Sequence, residues 1–534
     1  MNKNYIIILL IGLLTFSCSG FLDEHAKTSL NASNFFQSGD DLILAVHPLY
    51  YVTMNFTTGD DPISLFLRQD DLTSNQPANT YFRDFDTFDV SADLTQLLEA
   101  WQIPYAGIKR ANFIISNYAD TPDCDEDTRN NCAGQAYFHR AWWYFWLVKY
   151  FGPVPMPVSD SESDTEMEKS SMEDIYTQIV SDLKNAEEML PIKQTSDDWS
   201  EDGYSIVPTR GSAKSLLSMV YLQMTGWPLK QTDKYALAAA KAKEVIDNES
   251  TYGYGLVDQD ELWAGETLWD EETVFGHPYN YPNGDYTMRT PKAGAPVEEG
   301  GWFCYYPTIN FFKNFPEGKR KDVTFQTDIW LPISSDQAAA FPGVAFQTER
   351  SGEQWWIDVP WDNENTYRQH PYYAKQRFGG SRNASPSWDD RYLTGDMWRS
   401  GRSQRFIRYA EILLVYAEAE CMANSGPDAS AYEAINRVRE RAGLDDLASG
   451  MSASEFQEAC FNERGWEFAG NEFGVRWSDL LRLEKVEEKC SSSTRDSREY
   501  ALDHDPTKAD YFLPIPASEK NKNPNLTDND GADF

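Results

Sequence analysis

The chain has 534 residues, with 47 lysines and arginines set against 84 aspartates and glutamates, a formal net charge of −37. The acidic excess is spread along the chain, so its surface repels phosphate polymers, which excludes nucleic acid as a partner and disfavours peripheral attachment to anionic headgroups. The length permits a large buried core.

At the start, Lys3 precedes an apolar run at residues 5–16 that stops at Ser17-Cys18. A spanning helix needs ~20 residues. A basic start, a short apolar core and a small residue at the cut are instead the pattern of a secretory signal. With cysteine at the cut, the segment resembles a bacterial lipoprotein signal: residues 1–17 are expected to be removed and Cys18 to carry the lipid. Each buried methylene adds about 0.8 kcal/mol, so acyl chains would hold the protein on a membrane. Residues 18–34 are polar and read as a tether.

From about 40 to 260 the apolar periodicity is helical. Met172, Ile175, Ile179, Leu183, Ala186 and Leu190 form one stripe that ends before Pro191, residues 212–225 form a second, and Tyr235 to Ile246 a third. Helix pairs at this spacing suggest a tetratricopeptide-like stack of about four pairs. Cys124 and Cys132 bracket a short polar loop and are candidates for a bridge, since an exported chain can oxidise its thiols. Across about 260–400 the helical period fades and Gly, Pro, Trp and Tyr crowd together; so long an irregular stretch is usually functional. Lys319-Arg320-Lys321 reads there as a solvated loop. Helices return at 405–424, 430–442, 453–469 and 476–488. The expected fold is mainly α: a helical-repeat scaffold over about 40–260 and 405–490, with a large irregular insertion carrying short strands, all in one domain over 35–534.

Chemical motifs are sparse. The six histidines are scattered without metal-ligand spacing, and no Gly-x-Ser-x-Gly elbow, phosphate loop or dinucleotide-binding turn is present. Asp528-Asn529-Asp530-Gly531 resembles a calcium loop only faintly, lacking the terminal glutamate, and reads as a disordered tail. No catalytic residue, metal ligand or cofactor is assigned. What stands out is an aromatic surplus in irregular sequence: Trp302, Tyr305 and Tyr306 after Gly300-Gly301, Trp355 and Trp356 after Gly352, and Trp361, Trp388 and Trp398. A flat ring stacks on the apolar C–H face of a sugar, and short polar side chains satisfy its hydroxyls.

Four segments, in order, resemble the SusD/RagB family of nutrient-binding outer-membrane lipoproteins of Bacteroidetes. They are Ala136-Tyr137-Phe138-His139-Arg140-Ala141-Trp142-Trp143-Tyr144-Phe145 with Phe151-Gly152-Pro153-Val154-Pro155; Met172-Glu173-Asp174-Ile175-Tyr176 leading into Arg210-Gly211-Ser212-Ala213; Arg408-Tyr409-Ala410-Glu411 with Ile435-Asn436-Arg437-Val438-Arg439; and Glu463-Arg464 with Glu467-Phe468, Arg476-Trp477, Asp479-Leu480, Arg482 and Leu513-Pro514-Ile515-Pro516. Read physically, these are scaffold. Arg408 opens an amphipathic helix, Trp142 to Trp146 are core, and Asn436, Arg439, Glu463, Arg464 and Glu467 are expected in a buried ionic network, because buried charges need partners.

The resemblance implies a non-enzymatic, cell-surface, lipid-anchored outer-membrane protein. Such a protein binds oligosaccharide and delivers it to a SusC-like TonB-dependent transporter. It also implies a ligand surface on early loops and the irregular middle: Arg68, Asp70, Asp71, Asn75, Tyr81 and Phe82, with Tyr281, Tyr286, Trp302, Tyr305, Trp355 and Trp356. Peptide or glycoprotein-derived cargo, a protein-only scaffold and a surface glycoside hydrolase are the competing readings. The negative charge favours a neutral glycan.

Overall fold

The computed structural model describes residues 35–58, 64–74, 80–161, 165–196, 199–201, 203–263, 269–279, 287–288, 293–299, 301–333, 346–347, 355–366, 369–376, 399–400, 403–470 and 472–534. Cys18 and the tether lie outside these residues.

Ten longer helices carry the architecture: α1 Gly39–Thr58, α2 Thr95–Asn117, α3 Glu126–Phe151, α4 Met172–Met189, α5 Arg210–Met224, α6 Lys234–Ile246, α7 Tyr409–Ala423, α8 Ala429–Arg441, α9 Ala453–Glu467 and α10 Val475–Arg482. From α2 to α6 each helix packs on the next in sequence, α6 then packs on α7 across the whole irregular segment, and α7 meets both α8 and α9. The fold is the tetratricopeptide-like helical stack that the periodicity suggested.

Local chemistry sets the helix ends. The side chain of Asp125 accepts from the Thr128 N–H at the start of α3, which ends at Gly152 (φ +71°) before Pro153. Ser171 caps α4, and Thr209 and Ser452 form reciprocal capping boxes on α5 and α9. The run from Trp142 to Trp146 is buried throughout. Gly107 lets α2 approach α3 closely, since a Cβ there would sit 2.2 Å from the Trp143 indole nitrogen. Arg140 grips Asp182 through two bonds of 2.8 and 2.7 Å, pinning α3 to α4.

The expected ionic network is present and larger than the sequence suggested. Glu272, Glu463 and Glu467 have fully buried side chains. Glu467 accepts from Arg408 (2.7 Å), Arg441 (2.6 Å) and Arg320 (3.0 Å), while Glu463 takes Arg320 and Arg439 and Glu272 takes Arg408 and Arg441. Burial alone would raise the pKa of Glu467, but the three arginines outweigh it and hold the carboxyl well below the usual range. A second cluster joins Arg464 to Glu411 and Asp479, and Arg482 to Glu418 and Asp479, tying α7, α9 and α10 together. Asn436, also expected in the network, is half-buried and accepts instead from the Leu447 backbone N–H.

Several expectations need correction. Residues expected to begin the helix at 405 form strand β9 (Gln404–Arg408), which pairs with β2 (Thr273–His277). The following α7 is not amphipathic: every residue from Tyr409 to Ala419 is buried, so it is a central helix. The helix expected over 476–488 is broken after Arg482, where Glu484 adopts φ +53°. Arg320 is no loop residue. It lies in a short helix, Lys319–Thr324, because Glu463 and Glu467 supply partners for its buried guanidinium.

The C-terminal acidic run is ordered. Asp528 accepts from the Ile515 N–H at 2.7 Å, and Asn529 donates to the carbonyls of Phe151 and Pro153. Cys124 and Cys132 pack on the same apolar cluster as Phe36 and Val46, but both are free thiols, so the expected bridge is not formed. Burial pushes the Cys132 thiol up to about 12, far from the thiolate that exchange chemistry requires. Among the described residues no helix is long and apolar enough to cross a membrane.

Candidate functional site

The early stretch and the irregular middle, far apart in sequence, meet in a short ladder. Strand β1 (Leu72–Thr73) pairs antiparallel with β3 (Tyr306–Pro307), Leu72 opposite Pro307 and Thr73 opposite Tyr306. The Thr308 N–H donates to the Asp71 carbonyl and its hydroxyl to the Asp70 carbonyl. On the other flank, Asp86 accepts from the Thr73 hydroxyl (2.9 Å) and the Ser74 N–H (3.0 Å), tying the helix Thr80–Asp86 to β1. Arg495 pairs with the same carboxylate at 2.7 Å.

Beyond β3, strand β4 (Phe325–Gln326) leads into β5 (Asp328–Ile333), with β6 (Phe346–Gln347), β7 (Trp355–Pro360) and β8 (Tyr372–Tyr373) following. Strand β7 lies between β5 and β6, and β8 pairs with β4. Phe303, Tyr306, Ile329, Leu331, Val359 and Tyr372 close a small core beneath this unit. The rings of Phe303 and Tyr306 stack 5.1 Å apart.

This arrangement reassigns several of the expected contact residues. Arg68 is buried, its guanidinium 4.8 Å from the Trp477 ring and 5.3 Å from Phe88, and it donates to the Asp510 carbonyl. Burial lowers its pKa to about 10. Asp71 is fully buried and accepts from the Gly470 N–H at 2.8 Å and from the Tyr373 hydroxyl. Gly470 is required there, because at φ +80° a Cβ would lie 2.5 Å from the Tyr373 ring. Burial, then the Asp70 charge, pushes the Asp71 carboxyl up to about 6. Phe82 and Tyr305 are fully enclosed. These four residues hold the site's frame and cannot touch a ligand, since the sequence gives residue type without enclosure.

Asp70 is committed to Arg476 through two bonds of 2.7 Å. Tyr81 and Trp302 remain half-buried at the edge of the main core, with Tyr81 leaning on Phe82 at 4.5 Å. Trp355 and Trp356 open β7, opposite Ile333 and Pro332 in register. Asn75, Tyr281 and Tyr286 lie outside the described residues. Trp361, which the sequence singled out only as part of the aromatic surplus, joins the set. It is half-buried just past β7, its backbone N–H donates to the Thr327 carbonyl, and Arg498 lies 5.3 Å over its ring.

Among the described residues, no group of three or more His, Cys, Asp or Glu is placed to hold a metal ion. Burial pushes His139 and His370 down to about 3 and His277 to about 4, so all three are neutral at physiological pH.

Such a helical stack with a strand-bearing, aromatic insertion defines a class of fold, and the comparisons with known proteins agree. The SusD family profile matches residues 265–531, and a second profile, described as "Starch-binding associating with outer membrane", matches residues 21–222. The chain belongs to the SusD family. It is 28% identical to SusD-like protein P2 of Formosa agariphila over 558 aligned positions, covering 99% of each chain. A SusD superfamily protein of Parabacteroides distasonis superposes with TM-score 0.73 at 22% identity, covering 94% of this chain and 99% of that one. Surface glycan-binding protein A of Bacteroides uniformis superposes with TM-score 0.70 at 20% identity, covering 92% and 99%.

Proposed function

We propose that this protein is a cell-surface, lipid-anchored glycan-binding component of a nutrient uptake system. It captures an oligosaccharide by aromatic stacking and passes it to a SusC-like TonB-dependent transporter. The observation that carries this reading is the continuous connection from the helix Thr80–Asp86 through β1 and β3 to the sheet containing β7. Half-buried Tyr81 lies in that helix, Trp302 next to Phe303 and Trp361 next to the end of β7, which supports the reading. Rings held this way lose little entropy on stacking against a sugar. Family membership and the glycan-binding name of one structural neighbour support the ligand class.

A shallow stacking site binds at roughly micromolar to millimolar Kd, about 4–8 kcal/mol, weak enough for release to a transporter. Cys18 is the residue assigned to the lipid, and the net charge of −37 favours a neutral glycan over an acidic one. The assigned ring contacts are Tyr81, Trp302 and Trp361, with Trp355, Trp356, Tyr281 and Tyr286 completing the surface and Asn75 supplying a hydroxyl partner. Native affinity electrophoresis against neutral and acidic polysaccharides tests the reading. Retardation by at least one neutral polysaccharide is expected, and it should weaken in Trp302→Ala and Trp361→Ala. A parent protein retarded by none of them, or variants retarded as strongly as the parent, would refute it.

A further inference from the structure

Two residues before β1 and one residue after β3 the chain borders a separate cleft of about 460 Å³, within the range of about 300–1,000 Å³ typical of small-molecule sites. Gln69, Asn310, Asn314, Asn462, Trp466 and Lys489 line it, with Phe311, Ser493 and Thr494. Asn462 and Trp466 stand four residues apart on α9, and Asn310 and Asn314 four apart on the short helix Ile309–Asn314, so each pair shares a helix face. Gln69 is 3% exposed, and its Oε1 has no hydrogen-bond partner. A buried amide oxygen left open is costly unless something donates to it. Asn310 spends its NH2 on the Thr494 carbonyl, which leaves Oδ1 available.

The charges in the cleft are already matched. Arg476 is held by both oxygens of Asp70, Arg495 by Asp86, and Lys489 by Glu488 at 2.9 Å. Every cation on the wall therefore has a carboxylate partner, and an anionic ligand would have to compete for it. What the walls offer instead is amide and hydroxyl donors and acceptors beside an indole and a phenyl ring. That chemistry matches an uncharged polyhydroxylated ring: hydroxyls to the amides, a C–H face to Trp466.

We propose that this cleft is a second saccharide subsite, distinct from the β1–β3 surface, which takes a neutral pyranose unit with Trp466 as its stacking wall. The inference rests on the glycan-binding reading above. It adds a second point of attachment, which would favour long glycans over short fragments through effective concentration.

The test uses the full chain in detergent, labelled with 5-fluorotryptophan, with the Trp466 resonance assigned from Trp466→Phe. Laminaritriose, maltotriose, xylotriose and mannotriose are titrated singly, alongside native affinity electrophoresis of the same preparation against the parent polysaccharides. The expected result is a saturable shift of the Trp466 resonance with the trisaccharide whose polysaccharide retards the protein. That affinity should fall at least about threefold in Asn462→Ala, a half-exposed site where misfolding is not expected. Retardation without any Trp466 shift overturns the subsite and leaves the proposed function standing. A shift that Asn462→Ala and Trp302→Ala change equally also overturns it, since it would report the first surface. No retardation and no shift overturns both.

Discussion

Glu467 offers the sharpest test of what holds the frame together. Its carboxylate has no exposed surface and accepts charge-assisted bonds from Arg320, Arg408 and Arg441. Glu467→Gln keeps shape and volume but removes the charge. None of the three guanidiniums is left without a carboxylate, because Arg320 retains Glu463, and Arg408 and Arg441 retain Glu272. The loss is therefore below the ~3–5 kcal/mol of stranding a buried charge and closer to that of charge-assisted hydrogen bonds, about 1.5–3 kcal/mol. The exposed pair Lys243–Asp247 supplies the contrast: Asp247→Asn should cost at most about 0.5 kcal/mol, since both side chains are more than half exposed.

The pH dependence follows from the depressed carboxyl of Glu467 in the folded state. Its contribution is complete above the unfolded value of about 4.3 and is lost as pH falls through the folded value. The gap between parent and Glu467→Gln should thus stay constant from about pH 5 to 8 and narrow only in strong acid. Urea unfolding at pH 5, 7 and 8, with the slope checked for constancy, measures it. A variant within experimental error of the parent at pH 7 would refute the view that this network holds the irregular segment to α8 and α9.

Two further outcomes are expected. Glu499 is buried, accepts from the Ile309 N–H, and is pushed up to about 7 mainly by burial; a raised folded value means stability that is complete below about pH 4.5 and lost as pH rises through 7. Glu499→Gln should therefore equal the parent near pH 4 and exceed it at pH 8 by up to about 3 kcal/mol; an identical pH profile in urea unfolding would contradict this. Arg68→Met removes a guanidinium that stacks on Trp477 and donates to the Asp510 main-chain carbonyl rather than to a carboxylate; buried charges replaced by apolar groups are often neutral or stabilising by about 1–4 kcal/mol. It should leave glycan retardation unchanged, and a loss of retardation with an unchanged melting temperature would return Arg68 to the ligand surface.

Much of the scaffold was legible because it is written in local chemistry. The stripe from Met172 to Leu190 and its stop before Pro191 are visible in sequence, and α4 spans Met172–Met189. The ionic network was legible in kind but not in extent: Arg320 sits in a basic run that reads as solvated, and only the fold brings Glu463 and Glu467 to it. The same limit governs the site. Asp70 and Asp71 are adjacent, yet one faces Arg476 at the edge of a cleft and the other is sealed under Gly470 and Tyr373. Enclosure is a tertiary property that residue type does not carry. Trp466 shows the converse: nothing in its sequence context singles it out, while the structure leaves it half-buried on the wall of a cleft.

The central claim is that rings braced on the β1–β3 frame grip a sugar without cutting it. A crystal of the full-length protein soaked in the oligosaccharide that best competes with electrophoretic retardation tests this most directly. Intact saccharide stacked on Trp302, Trp361 or Tyr81 is the predicted result. Saccharide bound only away from both the β1–β3 frame and the Trp466 cleft, or found as hydrolysed fragments beside a pair of carboxylates, would contradict it.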